Sequence, residues 1–205
     1  MYSAITIGKF DGFHRGHKQI LETLDKVAKE RGLQKTLVSF NFTPSANPVK
    51  LINTYEEKRE FLEQFSIDNY IEYPFTDEFK QMPAEDFVKN IILDELKGKL
   101  LIVGEDYRFG RNREGDVDLL RRMGLEVVLV PSFDENGEKI SSSSIRKAIS
   151  EGDIALANKY LGHNYFINLL ATENSEHFLI PKNKLVPPDG KYITLVSKNK
   201  VEFIK

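Results

Sequence analysis

The chain has 205 residues, of which 40% are hydrophobic and 29% charged, and its net charge is −2. These values fit one medium globular domain with at most a small appendage, and they exclude a generally basic binder of nucleic acid or membrane surfaces. No cysteine is present, which excludes disulfides, thiolate metal sites and a cysteine nucleophile.

A transmembrane helix is not expected, because no run of about 18 apolar residues occurs. The chain enters an apolar run at once and has no basic n-region, so no signal peptide is expected. Together with the missing cysteines, this places the expected location in the cytoplasm.

The first predicted element is a buried strand over Ala4 to Ile7. A turn follows, Gly8-Lys9-Phe10-Asp11-Gly12-Phe13-His14-Arg15-Gly16-His17, and then a predicted helix over Lys18 to Glu30. Free N–H groups and the partial positive charge of a helix start suit a phosphate, and glycines let backbone approach a ligand closely. His14 and His17 sit inside that turn, which makes the site functional rather than incidental. Asp11 reads equally well as a phosphate-site residue or as a turn carboxylate.

Gln34 to Phe42 is a second strand, leaving into a Pro-marked loop at Phe42-Thr43-Pro44. Thr54 and Glu57 form a predicted capping box, with Phe61, Leu62 and Phe65 on the apolar face of the helix that follows. A third strand covers Asn69 to Phe75. Pro83 opens a helix marked by Phe87, Ile91, Ile92 and Leu96. Lys99 to Gly104 is a fourth strand, and Gly104-Glu105-Asp106-Tyr107-Arg108-Phe109-Gly110 leaves its end. Glycines, an aromatic pair and charges there suit a planar ligand, and they also suit a solvated loop with one packed aromatic. Asp116 to Met123 is a helix and Leu125 to Val130 a fifth strand.

Ile140-Ser141-Ser142-Ser143-Ser144-Ile145-Arg146 opens a helix over Ser142 to Ser150. Serines there are ordinary N-caps, but four hydroxyls and an arginine exceed what a cap needs. With helix-start N–H groups they make a polyphosphate cradle. A last helix covers Asp153 to Leu161. Beyond Gly162 the pattern turns to short strands, over Phe166 to Ala171, Phe178 to Ile180, Lys191 to Val196 and Val201 to Ile204, with a turn at Pro187-Pro188-Asp189-Gly190. His163 and His177 lack metal-ligand spacing and read as structural or surface residues. Alternation of strand and helix predicts an α/β fold, with a five-stranded parallel sheet covered by helices on both faces and a small β-rich tail.

Taken in order, these motifs resemble bacterial FAD synthetases, which join an FMN adenylyltransferase module to a riboflavin kinase barrel. Gly8 to His17 is similar to the family's G-x-F-D-G-x-H-x-G-H. Ile140 to Arg146 is similar to I-S-S-T-x-I-R with Ser143 in the threonine place, and Gly104 to Gly110 to G-x-D-F-R-F-G with Tyr107 for phenylalanine. The resemblance runs through Tyr160-Leu161-Gly162. It implies a Rossmann-like nucleotidylyltransferase domain over residues 1–162 and a tail over 163–205. The tail holds no G-x-P-T-A-N kinase motif and reads as a possible remnant of the barrel, without riboflavin kinase activity.

The implied reaction is AMP transfer from ATP to FMN, giving FAD and pyrophosphate, with Mg²⁺ bridging phosphates and no protein metal site. His14, His17, Ser143 and Arg146 are then catalytic. ATP is bound by Gly8, Lys9, Phe10, Asp11, Gly12, His14, His17, Ser142, Ser143 and Arg146. The flavin is bound by Phe42, Pro44, Asp106, Arg108 and Phe109. Two alternatives stay open: a flavin- or nucleotide-binding module without turnover, and an adenylyltransferase for another phosphorylated metabolite. Neither a nucleic acid nor a membrane is an expected partner, and oligomeric state is not legible.

Overall fold

The computed structural model describes residues 1–41, 50–135, 138–171 and 178–205. These form two compact units. One lies within Met1–Lys9, Lys18–Ala46 and Phe65–Ser132, the other within Phe10–His17, Asn47–Gln64 and Phe133–Lys205.

The first unit is built on a parallel sheet. Its strands are β1 (Ser3–Ile7), β2 (Gln34–Asn41), β3 (Asn69–Pro74), β4 (Gly98–Gly104) and β5 (Glu126–Val130), in the order β3-β2-β1-β4-β5. All four pairings are parallel. The order reverses at β1, the switch point of a doubly wound sheet, so β1 and β4 are neighbours and end on the same edge. Every residue of β1 is buried, as the centre of a parallel sheet requires. Ile5, Val38, Leu101 and Val103 join Val88, Ile92 and Leu120 in one apolar core.

Helix α1 (Arg15–Arg31) follows β1 and starts three residues earlier than its periodicity predicts, because Gly16 and His17 hide its first turn in the sequence. α2 (Tyr55–Leu62) carries the predicted capping box of Thr54 and Glu57. A short α3 (Asp77–Lys80), too short to show helical periodicity in the sequence, is capped by Thr76. After Pro83 comes α4 (Ala84–Asp86), which widens into a π-helical stretch, Phe87–Glu95. Its last bond runs from Leu96 N–H to Ile91 O, five residues back, at 2.9 Å. Phe87, Ile91, Ile92 and Leu96 lie four and five apart, a spacing that suits the wider turn. α5 (Val117–Arg122) is capped by Asp116.

In the second unit, α6 (Ser142–Ser150) and α7 (Ile154–Leu161) lie against the tail. Ile145, Ile149, Ala157 and Leu161 share a core with Tyr165, Ile167 and Leu185. A hairpin of β6 (Asp134–Glu135) and β7 (Glu138–Lys139) precedes α6. In the sequence an Asn-Gly pair, a hairpin signal, separates these strands, and residues 136–137 lie outside the described residues. The strand expected over Phe166 to Ala171 is two, β8 (Tyr165–Asn168) and β9 (Leu170–Ala171). β9 pairs with β10 (Phe178–Leu179), while β8 joins β12 (Lys200–Phe203) and β11 (Thr194–Ser197) in an antiparallel sheet ordered β11-β12-β8.

Candidate active site

The chain leaves β1 through a tight turn. Phe10, Gly12 and Phe13 have φ of 46°, 98° and 42°. A positive φ is costly for an aromatic residue, and here packing holds it: Phe10 and Phe13 are buried, and the Phe13 ring stacks on Phe61 with centroids 5.1 Å apart. At Gly12 an added Cβ would stand 3.3 Å from Ile52 and 3.4 Å from Leu161, in a backbone conformation that already favours glycine.

His14 lies just ahead of α1. Its Nδ1 accepts the N–H of His17 at 3.4 Å, the geometry of a side-chain N-cap. That places the proton of neutral His14 on Nε2. The two imidazoles stack with centroids 3.7 Å apart and planes 22° apart, and the Phe10 ring lies 4.9 Å from His17. A Cβ on Gly16 would come within 3.3 Å of His14 Cε1 and Nδ1, so the glycine between the histidines gives His14 its room.

Burial pulls His14 down to a pKa of about 4. His17 falls well below 6.5, first through burial and then through the charges of His14 and Lys58. Both rings are therefore neutral near pH 7 in the unliganded protein. His17 Nδ1 is buried and has no hydrogen-bond partner among the described residues.

The serine segment meets this turn. Ser141 caps α6 and Ser144 completes the box: Ser144 N–H donates to Ser141 Oγ at 3.2 Å, and Ser141 N–H to Ser144 Oγ at 3.1 Å. Ser142 Oγ donates to the carbonyl of Asp11 at 2.7 Å. Ser143 is exposed in the first helical turn. Thus two hydroxyls cap the helix, one ties it to the histidine turn and one faces outward. Arg146, one turn in, is held by Asp11 Oδ2 at 2.5 Å and by the carbonyls of Lys50 at 3.2 Å and Ser142 at 3.4 Å. Asp11 Oδ1 accepts the N–H groups of Ile52 at 2.9 Å and Asn53 at 3.1 Å. The aspartate is a junction between the turn, the strap of residues 50–53 and Arg146.

Two residues of this unit, Lys58 and Lys184, carry no sequence signal of a functional place, and a third, His163, is the structural residue its spacing predicts. Lys58 is buried on α2, and its charge is felt by His17. Lys184 is buried and donates to Glu57 and to the carbonyl of Ile52, each at 2.5 Å. His163, read from sequence as structural or surface, is largely buried; Nδ1 lies 2.9 Å from Asn164 O and Nε2 3.4 Å from Gly12 O. A lysine amid polar neighbours carries no local mark of burial. Only pairing with distant residues reveals it.

In the first unit, Gly8 N–H still bonds to Val38 O of β2 at 3.0 Å, and Lys9 is exposed at the sheet edge. The loop after β4 is pinned by Phe109, which lies in the core against Phe87 and bridges to Gly115. Phe109, given to the flavin by the resemblance, is thus a packed core aromatic that holds the loop. A Cβ at Gly110 would collide with Ala84 at 2.6 Å, and φ there is +72°. Asp106 and Arg108 are exposed on the loop, and Arg108 donates to Tyr107 O at 2.9 Å. Phe42, Pro44 and His177 lie outside the described residues.

The five-stranded doubly wound sheet with its small antiparallel tail is an α/β fold of the nucleotidyltransferase-like class. The sequence profile of the FAD synthetase family matches residues 2–144, and the chain belongs to that family. It is 35% identical over 176 residues to the bifunctional riboflavin kinase/FMN adenylyltransferase of Buchnera aphidicola subsp. Schizaphis graminum, covering 81% of this chain and 56% of that protein. It is 33% identical to the protein of the same name from Escherichia coli K12, over 80% of this chain and 55% of the relative. An FAD synthetase of Listeria monocytogenes is 31% identical over 98% of this chain and 86% of its own length. The chain thus spans a little over half the length of the bifunctional relatives. Among solved structures, a Streptococcus pneumoniae protein described as a macrolide-efflux protein superposes with a TM-score of 0.83 at 25% identity, over 98% of this chain and 72% of that one. Efflux is that protein's description. In this chain, no helix among the described residues is long and apolar enough to cross a membrane.

Proposed function

We propose that this chain is an FMN adenylyltransferase, moving AMP from ATP to the phosphate of FMN to give FAD and pyrophosphate. One observation carries the reading. Two motifs 131 and 135 residues apart are joined by direct hydrogen bonds, Ser142 to the Asp11 carbonyl and Arg146 to the Asp11 carboxylate, beside two stacked neutral histidines. Family membership and the Listeria relative support the same assignment.

The chemistry follows from charge. The FMN phosphate is already an anion and attacks the α-phosphorus of ATP in line as pyrophosphate leaves. No general base is required, so catalysis rests on positioning and charge neutralisation. Neutral imidazoles avoid mutual repulsion while the site is free. A polyphosphate brings negative charge beside them and favours the protonated forms. His14 and His17 then stabilise the α-phosphate and the leaving pyrophosphate. Ser142 and Ser143 at the α6 start and Arg146 hold the β- and γ-phosphates. Gly8, Lys9, Phe10, Asp11 and Gly12 shape the turn around ATP. Phe42, Pro44, Asp106 and Arg108 contact the flavin, with Phe109 setting the loop from beneath.

Among the described residues no group of three or more histidine or acidic side chains is arranged to hold a metal. Asp11, the carboxylate nearest the serines, is already engaged by Arg146 and two amides. In this reading magnesium would be carried on the phosphates of ATP. We assign residues 1–162 to adenylyl transfer and 163–205 to a tail without riboflavin kinase activity, in a cytoplasmic protein that takes small molecules rather than nucleic acid.

Product chromatography of purified protein with MgATP and FMN, other monophosphates or riboflavin tests this. FAD should form from FMN, and His17→Ala should keep the fold and lose most of it. Product only from another monophosphate would replace the flavin assignment, and binding without product would make the chain a non-catalytic module. FMN from riboflavin would overturn the reading of the tail.

A further inference from the structure

The buried pair of Lys184 and Glu57 has no place in that chemistry, yet it is built at a cost. Both side chains have 0% exposure, with Nζ and Oε2 2.5 Å apart. Replacing such a pair by apolar residues often leaves a protein equally or more stable, so a buried pair is a poor source of stability. Its neighbours show what it holds. Lys184 Nζ also donates to Ile52 O at 2.5 Å. Leu51 N–H donates to Asn183 O at 2.7 Å, and Leu185 N–H to Leu51 O at 2.8 Å. Glu57 Oε2 accepts Thr54 N–H at 2.9 Å. The strap of residues 50–54 is therefore held by the tail at Leu51 and Ile52 and by the Lys184 partner Glu57 at Thr54. Its opposite groups define the phosphate side: the N–H groups of Ile52 and Asn53 fix Asp11 Oδ1, and Lys50 O fixes Arg146 Nε.

We infer that Lys184 is a positioning residue for polyphosphate binding: from the tail it sets the strap that orients Asp11 and, through it, Arg146. The inference rests on the proposed role of Arg146 as a polyphosphate ligand. It gives the tail a function in the adenylyl-transfer site that no kinase activity supplies. Partners that orient a ligand without touching the bound group commonly change affinity by about tenfold or more when removed.

The test is calorimetric titration of the full chain with inorganic tripolyphosphate, for the wild type, K184M, E57Q/K184M and R146A, with FMN affinity read in parallel by flavin fluorescence. K184M should bind tripolyphosphate about tenfold more weakly, or about 1.4 kcal/mol, with FMN affinity unchanged and the circular dichroism of the wild type. If the unpaired Glu57 unfolds K184M, the double variant, in which no buried charge is left alone, is read in the same way. Tripolyphosphate affinity within about twofold of wild type in a folded variant, while R146A loses it, overturns the role of Lys184 and leaves that of Arg146 standing. Wild-type affinity in R146A overturns both. An equal loss of FMN and tripolyphosphate affinity, or failure of both Lys184 variants to fold, marks a merely structural lysine and also overturns the inference.

Discussion

Arg146 Nη2 and Asp11 Oδ2 stand 2.5 Å apart, and this contact joins the histidine turn to helix α6, the two halves of the proposed phosphate site. Asp11 is 7% exposed by side chain and uses both carboxylate oxygens as acceptors, one for Arg146 and one for two backbone N–H groups. An arginine has five N–H donors, so three fixed contacts still leave it donors for a phosphate.

Asparagine at position 11 can satisfy only one of those two sides, because its amide nitrogen must face a donor. Asp11→Asn should therefore raise the KM for MgATP about tenfold or more, as loss of a charged hydrogen bond predicts, with a smaller change in the KM for FMN. Arg146→Ala should do the same and also lower the melting temperature, since it leaves a buried carboxylate without its counter-charge. If Asp11 acts through Arg146, the double variant should bind MgATP no worse than Arg146→Ala alone. Additive losses across the three variants would show that Asp11 meets the nucleotide itself.

The suppressed histidines give a pH dependence with a definite sign. The folded pKa of His14, about 4, lies below the ordinary 6.5. The unfolded chain thus takes up the proton first, and stability contributed by the neutral ring is full above pH 6.5 and lost as pH falls toward 4. The gap corresponds to about 3 kcal/mol in all, of which about 2 kcal/mol disappears between about pH 7 and pH 5. Urea unfolding at these two pH values should show that loss, and His14→Gln should remove most of it. Histidine NMR should find the His14 midpoint near its suppressed value in the free protein and higher with MgATP. A midpoint near 6.5 without ligand would end the argument from neutral rings.

Much of this architecture is legible locally. β1 through β5 follow from short apolar runs, and the Thr54–Glu57 box from four residues. The glycines at 12 and 16 are legible as glycines, but only the folded structure shows that one serves backbone conformation and the other makes room for an imidazole. The serines divide in the structure: capping accounts for Ser141 and Ser144, and Ser142 ties α6 to the histidine turn through the Asp11 carbonyl. Lys184 was invisible because its partner Glu57 lies 127 residues away, and a lysine within Lys182-Asn183-Lys184 reads as solvated. Asp11 was half legible for the same reason: whether a turn carboxylate binds ligand or holds an arginine is decided by residues far along the chain.

The contrast between Gly12 and Gly16 separates fold from chemistry. At Gly12 an alanine meets a φ of +98° and side chains at 3.3 and 3.4 Å, so Gly12→Ala should cost about 1–3 kcal/mol and lower the melting temperature. At Gly16 the backbone is helical, and alanine is the better helix former by about 1 kcal/mol. Its Cβ, however, would press on His14 Cε1 and Nδ1 at 3.3 Å. The ring must shift, disturbing both its stack on His17 and its cap on α1. Gly16→Ala should therefore keep or raise the melting temperature while kcat for FAD formation falls about tenfold or more, as misplacement of a catalytic group predicts. Melting curves and turnover measured side by side decide it. Full activity in a stable Gly16→Ala protein would show that the position of His14 is not what the glycine protects.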